Sequence, residues 1–224
     1  MQRTETLAII LQERVIGIVR LGDAERVIPT VEAIHAGGVR CIEVSLTTPG
    51  ALGAVSALRD RLPDALIGAG TVCTPEDAAA AVRAGASYLV TPVTLPELIP
   101  LAHSLDVPIA MGAFTPTEIH LAHRAGADLV KLFPASSLDP GYLRAVRAPF
   151  PDLRLVPAGG VGIDNARSWL AAGAVALGIG GGLTSATAIA AGNYAELSAF
   201  AERLMHTIRN EPLPSTSRPE TQAR

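Results

Sequence analysis

The chain has 224 residues, 49% hydrophobic and 17% charged, a balance that excludes a disordered chain, a coiled coil or a collagen and fits one domain with a sizeable core. A net charge of −3, with 17 arginines scattered along the chain, gives no polyanion footprint, so nucleic acid is not an expected partner. The apolar stretch Leu7 to Leu11 is too short for a signal-peptide core or a membrane helix, so no membrane association and a cytoplasmic location are expected. Cys41 and Cys73 lie in apolar stretches without a C-x-x-C and read as reduced, buried small side chains with no disulfide.

A helix is predicted over Gln2-Arg14, ahead of a first strand, Val15-Arg20. Then follow helix Asp23-Ala36, strand Cys41-Leu46, helix Gly50-Leu62, strand Ala65-Val72, helix Pro75-Ala84, strand Tyr88-Val93 and helix Pro96-Leu105. Strand Pro108-Phe114, helix Pro116-Ala125, strand Leu129-Pro134, helix Pro140-Val146, strand Arg154-Val161, helix Asp164-Ala172, strand Val175-Leu183 and helix Asn193-Arg209 complete the alternation. Most strands are near-continuous apolar runs, as parallel strands buried on both faces require. Four helices carry proline in the first turn, where its missing N–H costs nothing. Ala36-Gly37-Gly38, Ala84-Gly85-Ala86, Ala125-Gly126-Ala127 and Ala172-Gly173-Ala174 read as helix C-caps leading into strands. Their first glycines stand 48, 41 and 47 residues apart, about two strand–helix units each.

Eight such pairs predict a single (β/α)8 TIM barrel over 1–209 with an extra N-terminal helix, compact for a class of about 250 residues. The alternative is a doubly wound open sheet, which would place a glycine-rich phosphate turn after its first strand, where Arg20-Leu21-Gly22-Asp23 stands instead. The end, NEPLPSTSRPETQAR over 210–224, has no apolar periodicity and is expected to be a disordered tail.

Active sites of such barrels lie at the C-terminal ends of the strands. Of 18 basic residues only Lys131 is lysine, set in the apolar run Ala127-Asp128-Leu129-Val130-Lys131-Leu132-Phe133-Pro134. Burial of an amine favours its neutral form, which can attack a carbonyl and form a Schiff base. The alternative is a structural lysine paired with a carboxylate. Glu43, in Cys41-Ile42-Glu43-Val44-Ser45-Leu46, points inward as a proton shuttle or as the partner of an internal salt bridge to Lys131 or Arg20. Arg20 can clamp a carboxylate or form a rim salt bridge, and Thr71 places a hydroxyl at the end of strand three. The clusters Ala158-Gly159-Gly160-Val161 and Gly178-Ile179-Gly180-Gly181-Gly182 close the last two strands, where barrels commonly bind phosphate on backbone N–H groups, or they are simply tight turns. Leu183 breaks a G-x-G-x-x-G pattern, so no dinucleotide is expected. His120 and His123 are three apart on a predicted helix without a third ligand, and an exposed helix face is the simpler reading; neither a metal nor another cofactor is expected.

Glu43 in IEVSL, Gly68-Ala69-Gly70-Thr71-Val72, Thr91-Pro92, Lys131-Leu132-Phe133-Pro134-Ala135 and Gly159-Gly160-Val161 together resemble the class I 2-keto-3-deoxy-6-phosphogluconate aldolases, the KDPG/KHG aldolases. The resemblance runs from about Val15 to Leu204 and implies a homotrimeric barrel that reversibly cleaves a 2-keto-3-deoxy sugar acid phosphate to pyruvate and glyceraldehyde 3-phosphate. It implies Lys131 as Schiff-base lysine and Glu43 as general acid/base. Arg20 and Thr71 would contact the pyruvyl part, Pro92 and Phe133 would line the pocket, and Gly159, Gly160, Gly180 and Gly181 would cradle the phosphate.

Three positions depart from the gluconate pattern. Thr47 stands where arginine is common, Ala158 replaces a threonine before the Gly-Gly pair, and Gly181 or Gly182 replaces a serine. The first two, with Lys131-Leu132-Phe133-Pro134-Ala135-Ser136-Ser137 followed by Pro140-Gly141-Tyr142-Leu143, also resemble the 2-keto-3-deoxy-6-phosphogalactonate aldolases. A shorter keto acid, 4-hydroxy-2-oxoglutarate, needs the pyruvyl half of the site but no phosphate. A phosphate-binding barrel isomerase or transferase, or a non-catalytic sugar-phosphate binder, would share the glycine clusters.

Overall fold

The structure is a computed structural model that describes residues 1–210; of the tail expected over 210–224, all but Asn210 lies outside the described residues. Its strands are β1 Val15–Val19, β2 Cys41–Ser45, β3 Leu66–Gly70, β4 Leu89–Val90, β5 Ile109–Ala113, β6 Leu129–Leu132, β7 Leu155–Pro157 and β8 Leu177–Ile179. Its helices are α1 Arg3–Glu13, α2 Val27–Ala36, α3 Ala51–Arg61, α4 Pro75–Ala84, α5 Leu98–Ser104, α6 Pro116–Arg124, α7 Pro140–Arg147, α8 Ala166–Ala171, α9 Ala186–Ala190 and α10 Tyr194–Arg209. The eight strands form one parallel sheet in the order β7-β6-β5-β4-β3-β2-β1-β8, and the bridge from Ala158 to Gly178 joins its ends into a barrel. Consecutive parallel neighbours linked by helices are the (β/α)8 arrangement that the alternation predicts.

Strand periodicity divides the core in two. One set of residues, with Val15, Ile42, Ile67, Leu89, Ile109 and Val130 among them, packs outward against the helices. The alternate set, including Ile16, Cys41, Leu66, Tyr88 and Val156, fills the barrel interior with Ile10 of α1. That helix plugs the barrel at the N-terminal ends of the strands. Arg3 pairs with Asp128 at 3.0 Å, and Asp128 also accepts the Ile109 backbone N–H at 3.0 Å. Glu13 is reached by Arg40 at 3.3 Å and Arg209 at 3.6 Å.

Three prolines, Pro75, Pro116 and Pro140, begin their helices as expected, whereas α5 starts at Leu98, two residues past Pro96. Thr74 with Asp77 and Thr115 with Glu118 form reciprocal capping boxes, each stabilising its helix by about 1 kcal/mol. The N–H groups of Thr115 and Phe114 hold the Glu118 carboxyl below its ordinary range. At the first helix-to-strand junction the left-handed residue is Gly38, at φ +93°, while Gly37 is pressed against Ala201 and the Ser198 carbonyl of α10.

Several expectations are corrected. The final strand stops at Ile179, and Gly181–Thr184 forms a 3-10 turn where the glycines let the chain leave the sheet. Strand β7 likewise ends at Pro157, because Gly159 and Gly160 turn at φ +79° and +83°. Helix α9, capped by Ser185, was not anticipated. Cys73 is exposed, because it lies past the end of β3 in the turn that caps α4; only Cys41 is buried, and both are free thiols. His120 and His123 are half-buried on α6, His120 packing at 4.9 Å from the Phe150 ring.

Candidate active site

Lys131 is the third residue of β6 and Glu43 the third of β2, so both side chains fall on the inward face, Lys131 beside Gly112 of β5 and Glu43 beside Gly68 of β3. Across the interior Lys131 Nζ stands 3.7 Å from Glu43 Oε1, with side-chain exposures of 7% and 1%. Lys131 Nζ also sits 5.3 Å from the centre of the Phe133 ring, within cation–π range. Burial pushes the Glu43 carboxyl above its ordinary range, and the positive charges of Lys131 and Arg20 only partly offset this.

Two glycines of β3 make room for this interior. A side chain at Gly70 would collide with the Glu43 carboxyl, and one at Gly68 would collide with the Tyr88 ring. The Tyr88 hydroxyl is buried below Glu43, and desolvation holds its phenol well above the ordinary range.

Above Lys131 a cavity of about 270 Å³ opens at the C-terminal ends of the strands. It is lined by Arg20, Lys131, Phe133, Gly159, Gly160, Gly180 and Gly181, together with Ile18, Val161 and Thr184. Glu43 lies beneath, reached through Lys131, and Thr71 adjoins Arg20 with Oγ1 3.5 Å from Nη2. The Pro92 backbone packs over Gly112 at the end of β4, apart from this cavity. Thr71 itself adopts φ +59°, an uncommon conformation for a β-branched residue, and its Oγ1 is 2.8 Å from Ser45 Oγ. Ser45 Oγ in turn is 2.8 Å from Thr47 Oγ1.

The sequence reading therefore finds the lysine, the glutamate, the arginine and both glycine clusters in one place, and it misses Ser45 and Thr184. A signal for Ser45 exists, since two residues on from Glu43 is the same face of a strand. Thr184 had none, because it lies just past the expected strand Val175-Leu183 and reaches the cavity only as the end of the 3-10 turn Gly181–Thr184; its hydroxyl donates to the Gly180 carbonyl at 2.9 Å. Among the described residues no three His, Cys, Asp or Glu side chains gather as a metal site, and no helix is long and apolar enough to cross a membrane.

Comparison with known proteins places this geometry in a family. The family model described as KDPG and KHG aldolase matches residues 7–200. A 2-dehydro-3-deoxy-phosphogluconate aldolase of Pseudomonas aeruginosa is 38% identical over 172 residues, covering 76% of this chain and 78% of that protein. A 2-dehydro-3-deoxy-6-phosphogalactonate aldolase of Escherichia coli is 35% identical over 170 residues, 75% of this chain and 83% of that protein. Among solved structures, a KDPG aldolase from Legionella pneumophila, with pyruvate captured as a covalent carbinolamine intermediate, superposes with a TM-score of 0.81 at 28% identity, covering 89% of this chain and 97% of that one. These matches answer the isomerase, transferase and non-catalytic alternatives: the chain belongs to the KDPG and KHG aldolase family and is a carbon–carbon lyase.

Proposed function

We propose that the protein is a class I aldolase that reversibly cleaves 2-keto-3-deoxy-6-phosphogluconate to pyruvate and glyceraldehyde 3-phosphate, with Lys131 as nucleophile and Glu43 as proton carrier. The observation that carries the reading is the chain's one lysine, buried 3.7 Å from a buried glutamate at the foot of a cavity whose other cation is Arg20. The substrate carboxylate lies against Arg20 and Thr71, and its phosphate against the backbone N–H groups of Gly159, Gly160, Gly180 and Gly181. Lys131 Nζ attacks the keto carbon and water leaves, giving an iminium. The C3–C4 bond then breaks as Glu43 takes the proton from the C4 hydroxyl, and the electron pair flows into the iminium to form an enamine. The aldehyde departs, the proton returns to C3, and water hydrolyses the imine to release pyruvate. Glu43, its carboxyl raised above the ordinary range by burial, holds a proton more readily than an exposed glutamate, which suits a group that takes and returns one. Phe133 shapes the wall, whereas Pro92, expected to line the pocket, is not among the residues that line this cavity.

The galactonate epimer is the second reading, favoured by Thr47 and Ala158 and by the 35% identity to the Escherichia coli galactonate enzyme. 4-Hydroxy-2-oxoglutarate, giving pyruvate and glyoxylate, fits the same pyruvyl contacts. We further propose a homotrimer in the cytoplasm, which light scattering at three times the chain mass would support. The decisive test is borohydride reduction with pyruvate, followed by peptide mass spectrometry. A pyruvyl adduct at Lys131, absent without pyruvate and absent from Lys131→Arg, supports the mechanism, and turnover of the two phosphorylated epimers then separates the substrates. No adduct on folded protein would overturn it.

A further inference from the structure

We infer that Ser45, which touches no substrate in the reading above, is a positioning residue that aims the Thr71 hydroxyl at the ligand carboxylate. The inference rests on the aldolase reading, because it needs a carboxylate at Arg20 and Thr71. Ser45 is the last residue of β2, fully buried, with its Oγ 2.8 Å from both Thr71 Oγ1 and Thr47 Oγ1. These are full O–H···O hydrogen-bond lengths, whereas Arg20 Nη2 reaches Thr71 Oγ1 only at 3.5 Å, beyond a good N–H···O bond. Ser45 is therefore the firm anchor of Thr71. Thr71 needs one, since it sits at φ +59° just past Gly70, where neither strand nor helix bonding fixes its side chain.

Proton counting sets the direction of the chain. Each hydroxyl has one proton to give and two lone pairs to receive with. An arriving carboxylate can only accept, so the Thr71 proton goes to it. The Ser45 proton is then spent on Thr71, and the Thr47 proton on Ser45. Three hydroxyls thus line up in one direction, from the exposed rim at Thr47 through the buried Ser45 to the ligand. Without Ser45 the Thr71 oxygen loses its close partner and keeps only the long contact from Arg20 Nη2 at 3.5 Å, and its proton is free to turn away from the carboxylate. The loss falls on carboxylate binding and leaves the Lys131–Glu43 pair untouched.

The test measures the pyruvate concentration that half-saturates borohydride trapping at Lys131, together with kcat and KM for cleavage. Ser45→Ala is expected to raise half-saturating pyruvate and KM by about tenfold, the loss of about 1.4 kcal/mol of binding, with kcat changed by less than about threefold. Thr71→Val, which keeps the branched shape but removes the hydroxyl that meets the carboxylate, is expected to raise half-saturating pyruvate and KM at least as far. Because Ser45 acts through Thr71, the double variant is expected to be no worse than Thr71→Val alone. Wild-type half-saturation in Ser45→Ala, or single effects that multiply in the double variant, would overturn the inference. So would a fall in melting temperature with unchanged KM, which marks a purely structural serine. Should Ser45→Ala fail to fold, Ser45→Cys, with its weak S–H donor, is expected to raise KM by a smaller factor, and an unchanged KM there overturns the inference equally. If the wild type traps no pyruvate, the aldolase reading fails and takes this inference with it; if it traps normally and only the variants disappoint, the aldolase reading stands.

Discussion

Gly70→Ala tests whether the interior leaves Glu43 only one place to be. Gly70 has ordinary backbone angles, so alanine costs nothing conformationally and the whole effect is steric. The added methyl would land on the end of the Glu43 side chain, meeting Oε1, Cδ and Cγ together. Glu43 is 1% exposed and has Lys131 on its far side at 3.7 Å, so it yields only by changing rotamer or by displacing β3. Overpacking of this kind costs about 1–3 kcal/mol, which for a domain of this size lowers Tm by roughly 2–12 °C. A shift of about 1 Å in a catalytic group costs about a hundredfold in rate. Gly70→Ala is therefore expected to lower kcat about a hundredfold in a pyruvate-release assay, while trapping at Lys131, which the methyl does not touch, declines far less. Gly37→Ala is the control: its methyl meets Ala201 and the Ser198 carbonyl in the helix layer, so it destabilises without changing kcat. A Gly70→Ala enzyme turning over within threefold of wild type would refute the close fit.

Glu43→Gln is expected to lower kcat by about 10²–10⁴-fold and to change how stability depends on pH. Burial raises the Glu43 carboxyl in the fold, so the folded state holds its proton more tightly than the unfolded chain. The stability this gives is complete below the ordinary value of 4.5 and is lost as pH rises through the raised one. Urea midpoints of wild type and Glu43→Gln should therefore be similar below pH 4.5 and diverge toward neutrality in favour of the variant; a constant difference would contradict the assignment. Asp128→Ala removes the acceptor shared by Arg3, His103 and the Ile109 N–H at the plugged end, costing about 1–3 kcal/mol with kcat unchanged, as urea unfolding and turnover together would report. A thiol reagent should titrate one cysteine, Cys73, in the native protein and two in denaturant, since Cys41 is enclosed and burial pushes its thiol up to about 12.

Much of this was legible because the fold writes its period into the chain. Apolar runs between Ala-Gly helix ends announce each strand, and a charged residue inside such a run, Glu43 or Lys131, has nowhere to point but the interior. Other features depend on what the chain meets after folding. Gly68 and Gly70 look like any small strand residues until Tyr88 and Glu43 lean over them from the neighbouring strands. Cys73 reads as one more apolar position, but strand β3 ends at Gly70, two residues before the expected end at Val72, and the turn that caps α4 carries Cys73 to the surface. The hydroxyl chain through Ser45 joins residues 26 apart in sequence, and its meaning comes only from the side-by-side pairing of β2 with β3 at Ser45 and Gly70.

The solitary lysine has a use beyond catalysis. A sample grown with isotope-labelled lysine and all other residues unlabelled carries its label at one side chain, and that side chain stands between Glu43 and Phe133. Its nuclear resonance needs no assignment and has no background from the surface, where every other basic residue is arginine. Arrival of a keto acid, conversion of amine to imine and the return to free amine would each be read directly from one signal in the intact protein.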